Sequence, residues 1–197
     1  RNIGSLERRE ASILMAILGI DPGFSSLGTA VLSLQGGGGS AQTFDEANVF
    51  RTQKDKKKVL VWDDNVKRCQ QIHTYLSELC DINNFIMFAI EAESWTRMPS
   101  DKQLGLARGV IYSVAASFDI PIVQITAKDV KHFLAGSKKA SKEDVLTALT
   151  ERSNLEKKLV HLPRGQWQHA ADAAGCALYA WECSELSRLY RRTLLST

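Results

Sequence analysis

Two apolar runs stand out along the chain because each ends abruptly in an acid. Ile17-Leu18-Gly19-Ile20 leads into Asp21, and Pro22-Gly23 then stops the run. Phe85 to Ile90 is apolar without alternation and leads into Glu91. Short apolar runs of this kind predict strands covered on both faces. Gly28 to Leu34 predicts a second strand, returning antiparallel after the Pro22-Gly23 turn. Asn48 to Thr52 predicts a third that completes a meander, and Pro121 to Ile125 a further short strand.

Helical spacing fills much of the remainder. Trp62, Val66, Cys69, Leu76 and Cys80 fall on one face of a helix over about Leu60 to Asp81. Leu104, Ala107, Ile111, Val114 and Phe118 do the same over about Ser100 to Phe118. Ala127 to Leu134 reads as a short helix, followed by a Lys-rich loop from Gly136 to Lys142. Ser141 is placed to N-cap a helix running to about Arg152, with Asp144 at the capping-box position. Asn154 to Gly165 is charged and irregular, and a last helix is predicted from about Gln166 to Tyr190. Three antiparallel strands, a helix, and then strands alternating with helices give a mixed α/β layer fold. No internal repeat divides it, so residues 15–197 read as one domain. Residues 1–14 are polar without a period, and Met15 reads as a natural start; the earlier residues are expected to be an appended or disordered extension. Gly36 to Ser40 has linker composition, either an engineered replacement or a natural hairpin tip.

Composition narrows the class only a little. The chain has 197 residues, 24% charged and 44% hydrophobic, as an ordinary globular domain does. No apolar run approaches a membrane span, and no signal peptide is evident, so a cytoplasmic protein without a membrane partner is expected. The residues leave bacterial, phage-encoded and organellar settings open. None of the four cysteines forms a C-x-x-C pair, which argues against zinc. Cys176 and Cys183 lie two turns apart on one predicted helix, roughly 10 Å, too far to bridge. The net charge of +3 is small, but its distribution is uneven. Lys128, Lys131, Lys138, Lys139 and Lys142 form one of several basic clusters, each either a solvated surface or part of a phosphate footprint.

The candidate chemistry comes from the acids. A buried strand ending in a carboxylate needs a cation, a donor or open water at that end. Asp21 on its own reads as a turn cap. Glu91 repeats the pattern, and Glu93 points the same way if the strand continues. In Gln168-His169-Ala170-Ala171-Asp172, His169 and Asp172 share a helix face, and the alanines permit close approach to a sheet. Convergent carboxylates repel unless a cation neutralises them, and hard oxygen ligands select Mg²⁺ or Mn²⁺. Two such ions about 4 Å apart can activate a water and stabilise the leaving oxygen in phosphodiester hydrolysis. His169 would then be a ligand or would position the water; otherwise it is a hydrogen-bonded boundary histidine.

Four motifs in order, GIDPG, IEAE…LGLARGV, VKHFLAGSKKASKEDV and QHAADAAGCAL, together resemble the RuvC family of Holliday-junction resolvases. The resemblance covers about Met15 to Trp181. It implies a ribonuclease-H-like five-stranded mixed sheet flanked by helices, a homodimer, and Mg²⁺-dependent nicking of opposed strands in four-way junction DNA. It implies that Mn²⁺ substitutes, with two ions per site, and that a branch-migration helicase is a possible partner. By position Asp21, Glu91 and Asp172 match the family's catalytic, metal-binding carboxylates, and His169 replaces a fourth acid. Lys131 and Lys142 match residues contacting the DNA backbone, and Lys138 and Lys139 extend that patch. Trp95 is the nearest candidate for an aromatic at the junction centre, with simple packing as the alternative. Arg108 lies in the helix that the resemblance makes the dimer face, with Gly105, Ala107 and Gly109 allowing close approach or else serving only the internal core, and is a candidate DNA contact. Two competing readings stay open: another ribonuclease-H-like nuclease acting on branched DNA or RNA–DNA hybrids, and a junction-binding protein with a disabled site.

Overall fold

The computed structural model describes residues 15–34, 43–54, 60–92 and 101–194. The candidates Glu93 and Trp95, the N-terminal residues 1–14 and the Gly-Ser tract lie outside them.

The strands are β1 (Met15–Asp21), β2 (Ser26–Leu34), β3 (Thr43–Arg51), β4 (Asn84–Glu91) and β5 (Ile122–Ile125). They form a single sheet in the order β3-β2-β1-β4-β5. The first three pair antiparallel, whereas β1–β4 and β4–β5 pair parallel. Both apolar runs read as central strands are therefore neighbours. Register places Ile20 opposite Ile90, so Asp21 and Glu91 leave the sheet side by side at the same edge.

Both faces of the sheet are covered, which explains why β1 and β4 lack alternation. On one face lie α3 (Ala127–Ala135), α4 (Lys142–Arg152), α5 (Leu155–Leu159) and α6 (Trp167–Cys183), packed on Ile17, Leu32, Phe44 and Met87. On the other lie α1 (Val61–Ile82) and α2 (Asp101–Ser117), packed on Leu18, Ile20, Val31, Phe88 and Ile90. α6 crosses β1 and β2 at backbone contact distance. That approach is possible because the sheet offers glycine beneath it: a Cβ on Gly19 would strike the Ala173 carbonyl, and one on Gly28 the His169 carbonyl. The predicted use of the alanines in α6 is thus matched by glycines in the strands.

Several expectations need correction. The inner face of α1 is not the stripe through Trp62 and Val66, which are 65% and 57% exposed. It runs through Asp64, Arg68, Ile72, Leu76 and Leu79, and it begins with two charged residues that a search for apolar spacing passes over. Phe118 is exposed beyond the end of α2 instead of facing inward. β3 begins at Thr43, five residues earlier than predicted, because its exposed edge position lets polar residues alternate with buried ones. The segment from Asn154 is not irregular throughout: α5 buries Leu155 and Leu159. Asn154 pairs with the edge strand, accepting from the Phe44 N–H at 2.8 Å and donating to its carbonyl at 2.9 Å. The last helix breaks at Ser184, whose extended backbone and hydroxyl start α7 (Glu185–Leu194).

Candidate active site

Three elements bring the acids together. β1 and β4 deliver Asp21 and Glu91 from the ends of buried strands, and the first turns of α6 deliver His169 and Asp172 across the glycine contacts. Asp21, Glu91 and Asp172 each place a carboxylate oxygen within 4.8 Å of the others. His169 Nδ1 lies 2.7 Å from Asp21 Oδ2. In the neutral ring, an Nδ1–H donated to Asp21 leaves the lone pair on Nε2. Gln168 Nε2 donates to Asp172 Oδ1 at 2.7 Å, a positioning contact one helical turn away that the sequence reading missed. Its spacing of four residues on a helix was the available signal.

The electrostatics are those of crowded acids in a half-buried place. Burial pushes the Glu91 carboxyl up to about 8, and the charges of Asp21 and Asp172 add to the effect. Burial likewise raises Asp172, with Asp21 reinforcing it. The hydrogen bond to Asp21 raises His169, against the opposing effect of burial. The bare cluster therefore holds protons that a divalent cation would replace. Three hard oxygen donors within one coordination sphere, with a ring nitrogen beside them, fit a divalent metal ion.

This gives a testable linkage. A carboxyl raised on folding stabilises the protein fully below its unfolded value of 4.5, and the contribution is lost as pH rises to about 8. Without divalent metal, stability should fall across that window. Glu91→Gln should raise the melting temperature of the metal-free protein at pH 8 by about 5 °C, measured by calorimetry in chelator. An equal or lower value would contradict the electrostatic account.

The lysines flank one side of the cluster. α3 ends at Gly136, whose φ of 71° suits glycine and reverses the chain towards exposed Lys138 and Lys139. The predicted capping box is present: the Asp144 N–H donates to Ser141 Oγ at 3.1 Å and the Ser141 N–H to Asp144 Oδ2 at 2.8 Å. It fixes Lys142 as the first residue of α4, with Nζ 4.0 Å from Asp172 Oδ2. Lys131 and Lys142 line a groove of about 190 Å³ that also reaches Glu91, Asp172 and Cys176. Arg108 departs from expectation. It is 6% exposed, and its Nη2 donates to the Glu91 carbonyl at 2.6 Å, so it is a buried neighbour of the site and not a DNA-facing side chain.

A mixed sheet that ends its two central strands in carboxylates, with a third acid on the helix covering it, defines the ribonuclease-H-like class. Known proteins agree. The family model "Crossover junction endodeoxyribonuclease RuvC" matches residues 17–179. A Synechococcus protein of that description is 31% identical, covering 85% of this chain and 98% of the relative. One from Pseudothermotoga lettingae is 30% identical, covering 90% and 99%. The solved structure of Thermus thermophilus RuvC superposes with a TM-score of 0.67 at 25% identity, covering 91% of this chain and 96% of that one. The yeast mitochondrial Holliday junction resolvase shares the fold with a TM-score of 0.62 at 16% identity, covering 91% and 83%. The chain belongs to the RuvC family of crossover junction endodeoxyribonucleases.

Proposed function

We propose that the protein is a metal-dependent endonuclease that resolves four-way DNA junctions by symmetric phosphodiester hydrolysis. The observation that carries this reading is the convergence of Asp21, Glu91 and Asp172 within one coordination sphere, in a chain of this family. A relative of the same fold, from T. thermophilus, is solved in complex with a Holliday junction substrate.

Asp21, Glu91 and Asp172 would hold Mg²⁺, with Mn²⁺ as a substitute and two ions as the proposed count. Bound there, the metal lowers the pKa of water and stabilises charge on the phosphate and leaving oxygen. The chain's own residues do the rest. His169, fixed by Asp21 through Nδ1, is placed to orient a water or take its proton through Nε2. Lys131 and Lys142 neutralise the phosphates flanking the scissile bond, and Lys138 and Lys139 extend the contact along the backbone. Selectivity for the junction follows from its shape and from how readily its centre opens.

Symmetric cuts need two sites related by a two-fold axis, so a homodimer is part of the proposal. One face of α2 supports it: among the described residues nothing lies within 4 Å of a Cβ placed on Gly105 or Gly109, and Leu106 between them is exposed, whereas Ala107 turns inward and is buried in the core. A branch-migration helicase partner and a cytoplasmic location rest on family membership alone.

Titration of Mg²⁺, Mn²⁺ and Ca²⁺ against cutting of a labelled junction tests the function directly. Cutting with the first two is expected; its absence with every divalent metal leaves a binding protein. Lys142→Ala should lower cutting about tenfold, with its melting temperature within a few degrees of the wild type. It should also reduce the salt slope of junction binding by about 1. An unchanged cutting rate would remove Lys142 from the site.

A further inference from the structure

The two strand-borne acids depend on where their strands end, and a buried guanidinium sits behind each end. Both come from the layer opposite the helix that carries His169 and Asp172. Arg68 of α1 is 4% exposed. Its Nη2 donates to Ser25 Oγ at 2.6 Å and to the Phe24 carbonyl at 3.2 Å. Its Nε donates to Thr52 Oγ1 at 2.8 Å, and that hydroxyl donates onward to the Phe24 carbonyl at 2.6 Å. The guanidinium also stacks 4.2 Å from the Phe24 ring centre, with Asp64 one turn away at 3.8 Å. Arg68 therefore ties the turn that follows Asp21 to the end of β3 and to α1.

Arg108 of α2 does the equivalent at β4. It bonds the carbonyl of Glu91 itself, at the residue where the strand leaves the sheet. Its Nε and Nη1 are buried without a partner among the described residues. A charged fork buried with two donors unmade among the described residues is unfavourable, and an apolar side chain would fill the same place more stably. Departures of this kind from good packing concentrate where position matters more than stability. The bond from Arg108 goes to the peptide and not to the carboxylate, so it acts on where Glu91 stands.

We propose that Arg68 and Arg108 are positioning residues for the metal-binding acids: Arg68 fixes the turn behind Asp21, and Arg108 fixes the exit of Glu91 from β4. This rests on the metal-dependent reading of the site and deepens it. Both side chains are buried, at 4% and 6% exposure, so the role assigned to them acts through the backbone they hold.

The test uses Arg108→Met, Arg108→Lys and Arg68→Lys in the full chain, with four readouts: melting temperature in chelator, the Mg²⁺ concentration giving half of the metal-induced melting shift, junction affinity without metal, and cutting. Arg108→Met should keep or raise the metal-free melting temperature, keep junction affinity, and raise the Mg²⁺ midpoint about tenfold, as loss of outer-shell support does. Arg68→Lys should raise the midpoint severalfold with junction affinity unchanged. Arg108→Lys retains one donor for the Glu91 carbonyl and should recover part of the midpoint. A folded Arg108→Met with an unchanged midpoint overturns the assignment of Arg108, and an unchanged midpoint in Arg68→Lys overturns that of Arg68. Should Arg108→Met fail to fold, Arg108→Lys decides: a raised midpoint supports the proposal and a wild-type midpoint overturns it. A wild-type protein that shows no metal-induced shift would instead refute the underlying metal reading.

Discussion

Asp21→Asn is expected to abolish junction cutting, by on the order of a thousandfold or more, while junction binding stays at least as tight as in the wild type. A thousandfold is about 4 kcal/mol of barrier. The size of the effect follows from the number of tasks one carboxylate performs. A carboxylate oxygen of Asp21 stands within 4.8 Å of those of both Glu91 and Asp172, and its Oδ2 holds the His169 ring at 2.7 Å. Asparagine keeps the shape but loses the charge that attracts the metal. It also weakens the bond that sets the ring. Binding should not suffer, because removing a negative charge from a surface that faces phosphates reduces repulsion. Quantitative cleavage rates and chelator-buffered binding, measured on the same preparation, separate the two effects. A variant cutting within tenfold of wild type would take Asp21 out of the metal-binding set.

The second large effect is expected at His169. His169→Ala should lower cutting about a hundredfold at neutral pH, the range for loss of a positioned acid–base group. His169→Asp supplies a carboxylate in its place and should retain more activity than alanine does. The two variants distinguish chemistry from packing, because the side chain is 43% exposed and little core depends on it. Both should fold with near wild-type melting temperatures. Equal, wild-type cutting by both would make His169 a boundary residue whose bond to Asp21 has no catalytic consequence.

How far the sequence could be read follows from where its signals are local. Asp21 and Glu91 were visible because a continuous apolar run ending in an acid is a contradiction that only a partner resolves. Asp172 and His169 were visible because the alanines around them demand a close neighbour, and Gly19 and Gly28 provide it. The capping box at Ser141 was legible for the same reason: its two partners are three residues apart. What was not legible depends on tertiary contacts. Arg68 and Asp64 occupy the core face of α1 because the Phe24 turn needs a donor there, which no periodicity reports. Arg108 read as a candidate DNA contact in the dimer helix because its motif carries no sign that the Glu91 carbonyl lies against it. The break at Ser184 is a cap made by one hydroxyl within a sequence otherwise suited to continuing the helix.

The metal-free protein should be the less stable one at alkaline pH, and this links stability to function in a single site. The acids that destabilise one another when bare are the same acids proposed to hold the ion. Divalent metal should therefore raise the melting temperature most at pH 8 and least near pH 5, where protons already occupy the cluster.

The most direct test of the central claim is cleavage of a four-way junction labelled on each strand in turn, beside a linear duplex and an RNA–DNA hybrid, with and without Mg²⁺. Paired nicks at symmetric positions on two opposed strands, confined to the junction and dependent on metal, are predicted. Cutting of the hybrid or the linear duplex at a comparable rate would contradict the account and place the protein among general ribonuclease-H-like nucleases.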